Sequence, residues 1–213
     1  MKGLFISGSG TDVGKTFVAR CIILALNEKY RVVARKPIES DCIKVANGLM
    51  PKDAVLLNNA CVNPEPIDSV CRFKFEDCVS GEKASLDKGV DVNLQNLIGA
   101  VQPANSDDFM IIEGAGGLYS PIAEQVLNSD FALALGLPIV IVVKDELGAI
   151  NQALLSIDAA KTHKLNVVML VLNRIIPNDL NNAQALNAYT DVAIVTFSED
   201  KLNDFNAKVL ALI

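Results

Sequence analysis

The apolar and polar positions of this chain follow two alternating periods. Short runs of Val, Ile, Leu and Phe at residues 4–7, 32–34, 109–112, 139–143, 167–172 and 192–195 are bounded by turn residues, and each predicts a buried strand. Between them apolar residues fall three and four apart, as in Phe17, Val18, Cys21, Ile22, Leu24 and Ala25, or Ile150, Ala153, Leu154, Ile157 and Ala160. That spacing predicts helices with one apolar face. The longest apolar stretch, residues 131–143, contains Gly136 and Pro138 and reads as a helix end, a turn and a strand. It falls short of the ~20 residues needed to span a bilayer. Strand and helix in alternation give an α/β architecture, three layers with a mainly parallel central sheet flanked by helices and joined by right-handed crossovers. In such sheets ligands bind at the carboxyl ends of the strands, so the segments just after each strand are where chemistry is expected.

The 213 residues suit one domain with a sizeable core, and no internal repeat or biased tract divides them. Residues 61–108 are the least regular stretch, with Pro64 and Pro66, and read as an insertion covering one edge of the site. A formal net charge of −6 disfavours general attraction to nucleic acid or an anionic membrane, so neither is an expected partner. Aromatic residues are 5% of the chain and Trp is absent, which leaves little surface for stacking a row of bases. The N-terminus runs from Met1-Lys2-Gly3 into a short strand without the features of a signal peptide, so a cytoplasmic location is expected. Five cysteines (Cys21, Cys42, Cys61, Cys71 and Cys78) show no close pair, and one His is available to them, so the expectation is reduced thiols and no zinc site.

The first strand leads into Gly8-Ser9-Gly10-Thr11-Asp12-Val13-Gly14-Lys15-Thr16, and a helix follows at once. Glycines let backbone N–H groups curl round phosphate oxygens, and the helix start adds its positive end. Lys15 then reaches the β- and γ-phosphates and the Thr16 hydroxyl can hold Mg²⁺. The loop is one residue longer than the common form, since Ser9 stands where Gly is usual and Gly8 comes one position earlier.

Three further charged residues stand where strands or helices begin or end. Pro37 stops the second strand and leaves Lys36 at its carboxyl end, where a cation would neutralise charge developing on a γ-phosphate. Glu113 ends an apolar strand and precedes Gly114-Ala115-Gly116-Gly117, where an acid can hold Mg²⁺ and glycines let a substrate lie against the backbone. Asp53 opens a helical segment over residues 54–60, and from sequence alone a capping role explains it.

Taken in order, these blocks resemble the dethiobiotin synthetase family. The resemblance rests on residues 8–16, on Lys36-Pro37-Ile38-Glu39-Ser40, on Asp53-Ala54 after Asn47-Gly48-Leu49, on Glu113-Gly114-Ala115-Gly116-Gly117-Leu118-Tyr119-Ser120-Pro121 and on Leu147-Gly148-Ala149-Ile150-Asn151, and it covers residues 2–173. It implies a P-loop fold and an ATP-dependent ligase of biotin synthesis, in which 7,8-diaminononanoate and CO₂ (from bicarbonate) give a carbamate. ATP phosphorylates the carbamate, and ring closure releases phosphate. By the same resemblance Lys15, Lys36 and Thr11 are catalytic, and Thr16, Asp53 and Glu113 bind Mg²⁺. Thr11, Ser40, Gly116 and the start of the helix at Leu147, Gly148, Ala149, Ile150 and Asn151 bind the diamine, its tail carboxylate being held across a homodimer interface. The nucleotide falls to Gly10, Thr11, Asp12, Val13, Gly14, Lys15, Thr16, Phe17, Glu113, Gly114, Ala115, Gly116 and Asn173.

The chain also departs from that pattern. Glu146 stands where some relatives carry Lys, and the segment after the last strand has neither the Gly nor the Pro that lines the base pocket of relatives. Ala185 replaces a substrate-tail Tyr, with Tyr189 one helical turn later, and His163 is given no catalytic role. A rival reading, a partitioning-type nucleotide switch, shares the Gly-Lys-Thr loop but calls for an extra Lys early in it, and no Lys stands between Gly3 and Gly14.

Overall fold

The computed structural model describes residues 1–213. Its first half contains strand β1 (Lys2–Gly8), helix α1 (Lys15–Leu26), strands β2 (Val32–Arg35), β3 (Ile38–Glu39), β4 (Ile43–Val45) and β5 (Gly48–Met50), and helices α2 (Lys52–Asn58) and α3 (Ile67–Val70). Strand β6 (Phe73–Lys74), helices α4 (Gly81–Lys88) and α5 (Leu94–Ala100), strands β7 (Phe109–Gly117), β8 (Pro121–Ala123) and β9 (Val126–Leu127), and helix α6 (Asn128–Leu135) follow. The chain ends with β10 (Ile139–Lys144), α7 (Ala149–Thr162), β11 (Val167–Asn173), α8 (Asn182–Leu186), β12 (Ile194–Phe197) and α9 (Leu202–Leu212). No helix is long and apolar enough to cross a membrane.

The six strands expected from the sequence pair in parallel as one sheet in the order β12-β11-β10-β1-β7-β2. Successive side chains of a strand point to opposite faces. Leu4, Ile6, Phe109, Ile111, Val140, Val142, Met169 and Val171 enter a core shared with α1, α2 and α9. Phe5, Met110, Ile112, Ile141, Val143, Leu170 and Leu172 enter a second core under α4 to α8. Both faces are covered by helices, so the strands read as unbroken apolar runs rather than as an alternation. Each such side chain contributes roughly 1.5–3 kcal/mol by leaving water, and this double burial holds the three layers together.

Three expectations are corrected. Strand β7 does not stop at Ile112 but runs on through Glu113 and the glycines to Gly117, pairing Gly117 with Gly8. The last strand is shifted two residues along, to Ile194–Phe197, because the Val192 N–H is taken by the Thr190 hydroxyl in a turn. Residues 61–108 are not an irregular cover: they form α3, β6, α4 and α5, and Ala84, Val92, Leu97 and Val101 are buried in the second core. Their periodicity is weak because each short helix buries only a few residues, and caps define them instead. Ser80 accepts from the Lys83 N–H to start α4, and Asn93 accepts from the Asn96 N–H to start α5.

Candidate active site

The loop between β1 and α1 is held in one shape by left-handed backbone at Asp12 (φ 58°) and Gly14 (φ 85°). A Cβ on Gly14 would stand 2.0 Å from the Asn173 amide nitrogen, which donates to the Val13 carbonyl at 2.9 Å. The end of β11 therefore buttresses the phosphate loop, and part of the Asn173 amide is occupied in doing so. The Lys15 ammonium folds over the loop and donates to the Gly10 carbonyl at 2.8 Å. Burial pulls its pKa down to about 8, with Lys36 adding to the fall and Glu113 opposing it. Thr11 and Asp12 are exposed on the rim, and the Ser9 hydroxyl donates to Gln152 at 3.0 Å, tying the loop to the first turn of α7.

Strand alternation selects the charged residues. Residues 109 and 111 face the α1 side, so Glu113 does too, and residues 32 and 34 place Lys36 on that side. The Lys36 ammonium, 4% exposed, lies 2.5 Å from Glu113 Oε1 and 3.3 Å from Asp53 Oδ2, and reaches the Gly114 carbonyl at 3.4 Å. Lys36 is therefore not a solvated lysine at a strand end but a buried one held between two carboxylates. Burial alone would lower the Lys36 pKa, but Glu113 and Asp53 outweigh it and hold the ammonium above its ordinary value. The Thr16 hydroxyl donates to Glu113 Oε1 at 2.9 Å, whereas Glu113 Oε2 is buried with no hydrogen-bond partner.

The structure corrects the reading of Asp53 as a cap. Glu39 caps α2, its carboxylate accepting from the Asp53 and Ala54 N–H groups, each at 2.9 Å. That leaves the Asp53 side chain free to face Lys36. Burial pushes the Glu39 carboxyl up, against the pull of Lys36. No group of three or more His, Cys, Asp and Glu side chains is arranged to hold a metal ion by itself. The hard-oxygen set of Thr16, Glu113 and Asp53, with the orphaned Glu113 oxygen among them, fits Mg²⁺, which keeps few protein ligands alongside phosphates and water.

The glycine run lies against the loop. Gly117 packs on Ser9 and Gly10 at 3.3–3.4 Å from where its Cβ would be, and a Cβ on Gly116 (φ 76°) would meet Ser120 Oγ at 2.4 Å and Thr11 Oγ1 at 3.8 Å. Asn128, fully buried, fixes this run by donating to the Ala115 and Gly117 carbonyls and accepting from the Ala115 N–H. Sequence reading missed Asn128, since Asn-Ser-Asp before an apolar helix looks like a cap. It also missed Asp145, which accepts from Arg174 and Asn182, each at 2.8 Å, and joins the ends of β10 and β11 to α8.

The remaining expected residues lie around this centre. Ser40 is half-buried directly after Glu39. At the start of α7, Leu147 is 89% exposed, Gly148 has φ 95°, and the buried Ala149 begins the helix, followed by Ile150 and Asn151. Glu146 is exposed and paired with Lys144 at 2.8 Å. Tyr189 is exposed, and His163, at the end of α7, meets the Tyr119 ring edge-on at 5.3 Å.

A family model described as an AAA domain matches residues 2–197. The ATP-dependent dethiobiotin synthetase BioD of Ruthia magnifica subsp. Calyptogena magnifica is 54% identical over 213 residues, covering 100% of this chain and 99% of the relative. The protein of the same name from Vesicomyosocius okutanii subsp. Calyptogena okutanii is 50% identical, covering 98% and 95%. Among solved structures, a putative plasmid partition protein of Borrelia burgdorferi bound to AMPPNP superposes with a TM-score of 0.57 over 99% of this chain and 97% of its own, at 12% identity. That likeness shows the P-loop fold alone. Full-length identity at this level places the chain in the ATP-dependent dethiobiotin synthetase family.

Proposed function

We propose that the chain, working as one domain, closes 7,8-diaminononanoate and CO₂ into the cyclic urea of dethiobiotin at the expense of ATP, a ligase step of biotin synthesis that forms C–N bonds. One amine adds to CO₂ and loses a proton to give a carbamate. A carbamate oxygen attacks the γ-phosphorus and ADP leaves. The second amine then attacks the carbonyl of the mixed anhydride, the ring closes and phosphate departs. None of these steps needs a covalent enzyme nucleophile; each needs dispersed negative charge to be neutralised and two substrates to be aligned. Lys15 and Lys36 converge on the γ-phosphate from the loop and from β2. Lys36 stays protonated there because Glu113 and Asp53 face it. Thr16, Glu113 and Asp53 would hold Mg²⁺, which when bound neutralises phosphate oxygens. Thr11, Ser40 and Gly116 line the diamine end.

The observation that carries this reading is Lys36, buried between two carboxylates beside the phosphate loop. A partitioning-type switch shares the fold, but the extra Lys of that loop is absent here. A homodimer completes the site, with the exposed start of α7, led by Leu147, offering backbone N–H groups to the partner's substrate carboxylate. The cytoplasm, where ATP and bicarbonate are at hand, is the proposed location. Incubating the protein with MgATP, diamine and radiolabelled bicarbonate tests the reading. Label is expected in an acid-stable product, whereas label lost on acidification, as from a free carbamate, counts against ring closure.

A further inference from the structure

A cavity of about 430 Å³ opens between the start of β6 and helix α5, and none of the residues assigned above to the active site lines it. Its volume falls within the roughly 300–1,000 Å³ of small-molecule sites. The walls carry charges of both signs that the protein leaves unmatched. Arg72 has no carboxylate partner, whereas Arg31, Arg35 and Arg174 each have one. Its guanidinium lies over the Phe73 ring, 6.0 Å from the centroid. The Asp91 carboxylate accepts only from the Asn93 amide, at 3.1 and 3.4 Å. Asn96 donates to the Asp91 carbonyl at 3.0 Å, which leaves its Oδ1 unused beside the exposed Gln95. A Cβ on Gly99 would meet nothing within 4 Å, so the α5 wall is open there.

A guanidinium takes a carboxylate in a bidentate pair. Asp91 and Asn96 Oδ1 are acceptors for two N–H groups, and the Gln95 amide is a donor for a carbonyl between them. That is the pattern of a cyclic urea with a carboxylate tail. Neither substrate matches it: a triphosphate would meet the Asp91 charge, and a diamine would set two ammonium groups against one carboxylate and a guanidinium. Backbone pairing joins the cavity to Lys36. The Lys36 N–H donates to the Val70 carbonyl, the Phe73 N–H to the Pro37 carbonyl and the Phe75 N–H to the Glu39 carbonyl, each at 2.9 Å. Ile38 and Glu39 pair in register with Phe73 and Lys74. The segment that carries Lys36 and the Glu39 cap of α2 thus hangs on the strand that begins at the cavity wall. Resting on the ligase reading given above, we infer that this cavity is a second site for the enzyme's own product, and that product bound there slows turnover. A ligand that draws Arg72 and Phe73 toward α5 shifts Lys36, and through Glu39 also Asp53, so the effect falls on kcat rather than on substrate affinity.

Initial rates of the full chain with added dethiobiotin, at saturating MgATP and bicarbonate and varied diamine, test this alongside Arg72→Gln and Gly99→Leu, the second of which fills the opening. In the wild type, saturating dethiobiotin should lower kcat at least about fivefold, and excess diamine should not relieve the loss. Both variants should keep the wild-type kcat without added product, and their inhibition constant should rise at least about tenfold, the loss of one charged pair. Inhibition that diamine relieves, equal in all three proteins, is product returning to the active site alone and overturns the inference. A wild type that is not inhibited overturns it too. If Gly99→Leu disturbs α5, Arg72→Gln still decides. If no protein forms product, the ligase reading fails instead, and calorimetric titration with dethiobiotin decides the cavity by itself: binding lost in Arg72→Gln supports the site, and equal binding in wild type and variant overturns it.

Discussion

Lys36 and Glu113 depend on each other for stability as well as for chemistry. Both are buried, so Lys36→Met leaves an uncompensated carboxylate in the core and should cost about 3–5 kcal/mol. Turnover should fall at least about 100-fold, because a charge-neutralising group is gone. The double variant Lys36→Met, Glu113→Gln removes both charges and is expected to recover much of the melting temperature without recovering product. Thermal melts read against product formation separate the two effects, and a double variant that turns over would remove the pair from the mechanism. These residues were legible in the sequence, since each is a charge at the end of an apolar run. Glu39 and Asn128 were not, because their partners are backbone groups 14 to 15 and 8 to 13 residues away that only the folded chain brings near.

At the scale of elements, α2 is placed by a residue outside it. Glu39→Ala would leave the Asp53 and Ala54 N–H groups without their acceptor, destabilising the protein by about 1–2 kcal/mol. The start of α2 would loosen and Asp53 would drift from Lys36. The expected result is a several-fold rise in the Mg²⁺ concentration for half-maximal rate, with metal-free nucleotide binding unchanged; an unaltered Mg²⁺ titration would show that Asp53 does not rely on the cap. The strands were legible because both faces are apolar, and α1 and α7 because they are long enough to show a helical period, while of α6 only the end could be read. The elements of residues 61–108 were not, as short helices buried by a few side chains leave too little pattern to read.

The whole molecule sets the reactivity of its thiols. Burial pushes Cys42 and Cys61 up to about 11, raises Cys21, and lifts Cys71 further still, while Cys78 is exposed. At pH 8 a thiol of pKa 11 is only about 0.1% thiolate, so one fast-reacting thiol is expected in the folded protein and five in denaturant. The slow phase should quicken about tenfold per pH unit as pH rises toward 11, since it is the thiolate that reacts. Several fast thiols at pH 8 would show that the cores are open. The central claim, that phosphoryl transfer here is coupled to carbamate formation, is met most directly by measuring phosphate release from MgATP with and without 7,8-diaminononanoate and bicarbonate. Release that requires both additions is the predicted result; equal release without the diamine would contradict the ligase and favour a nucleotide switch.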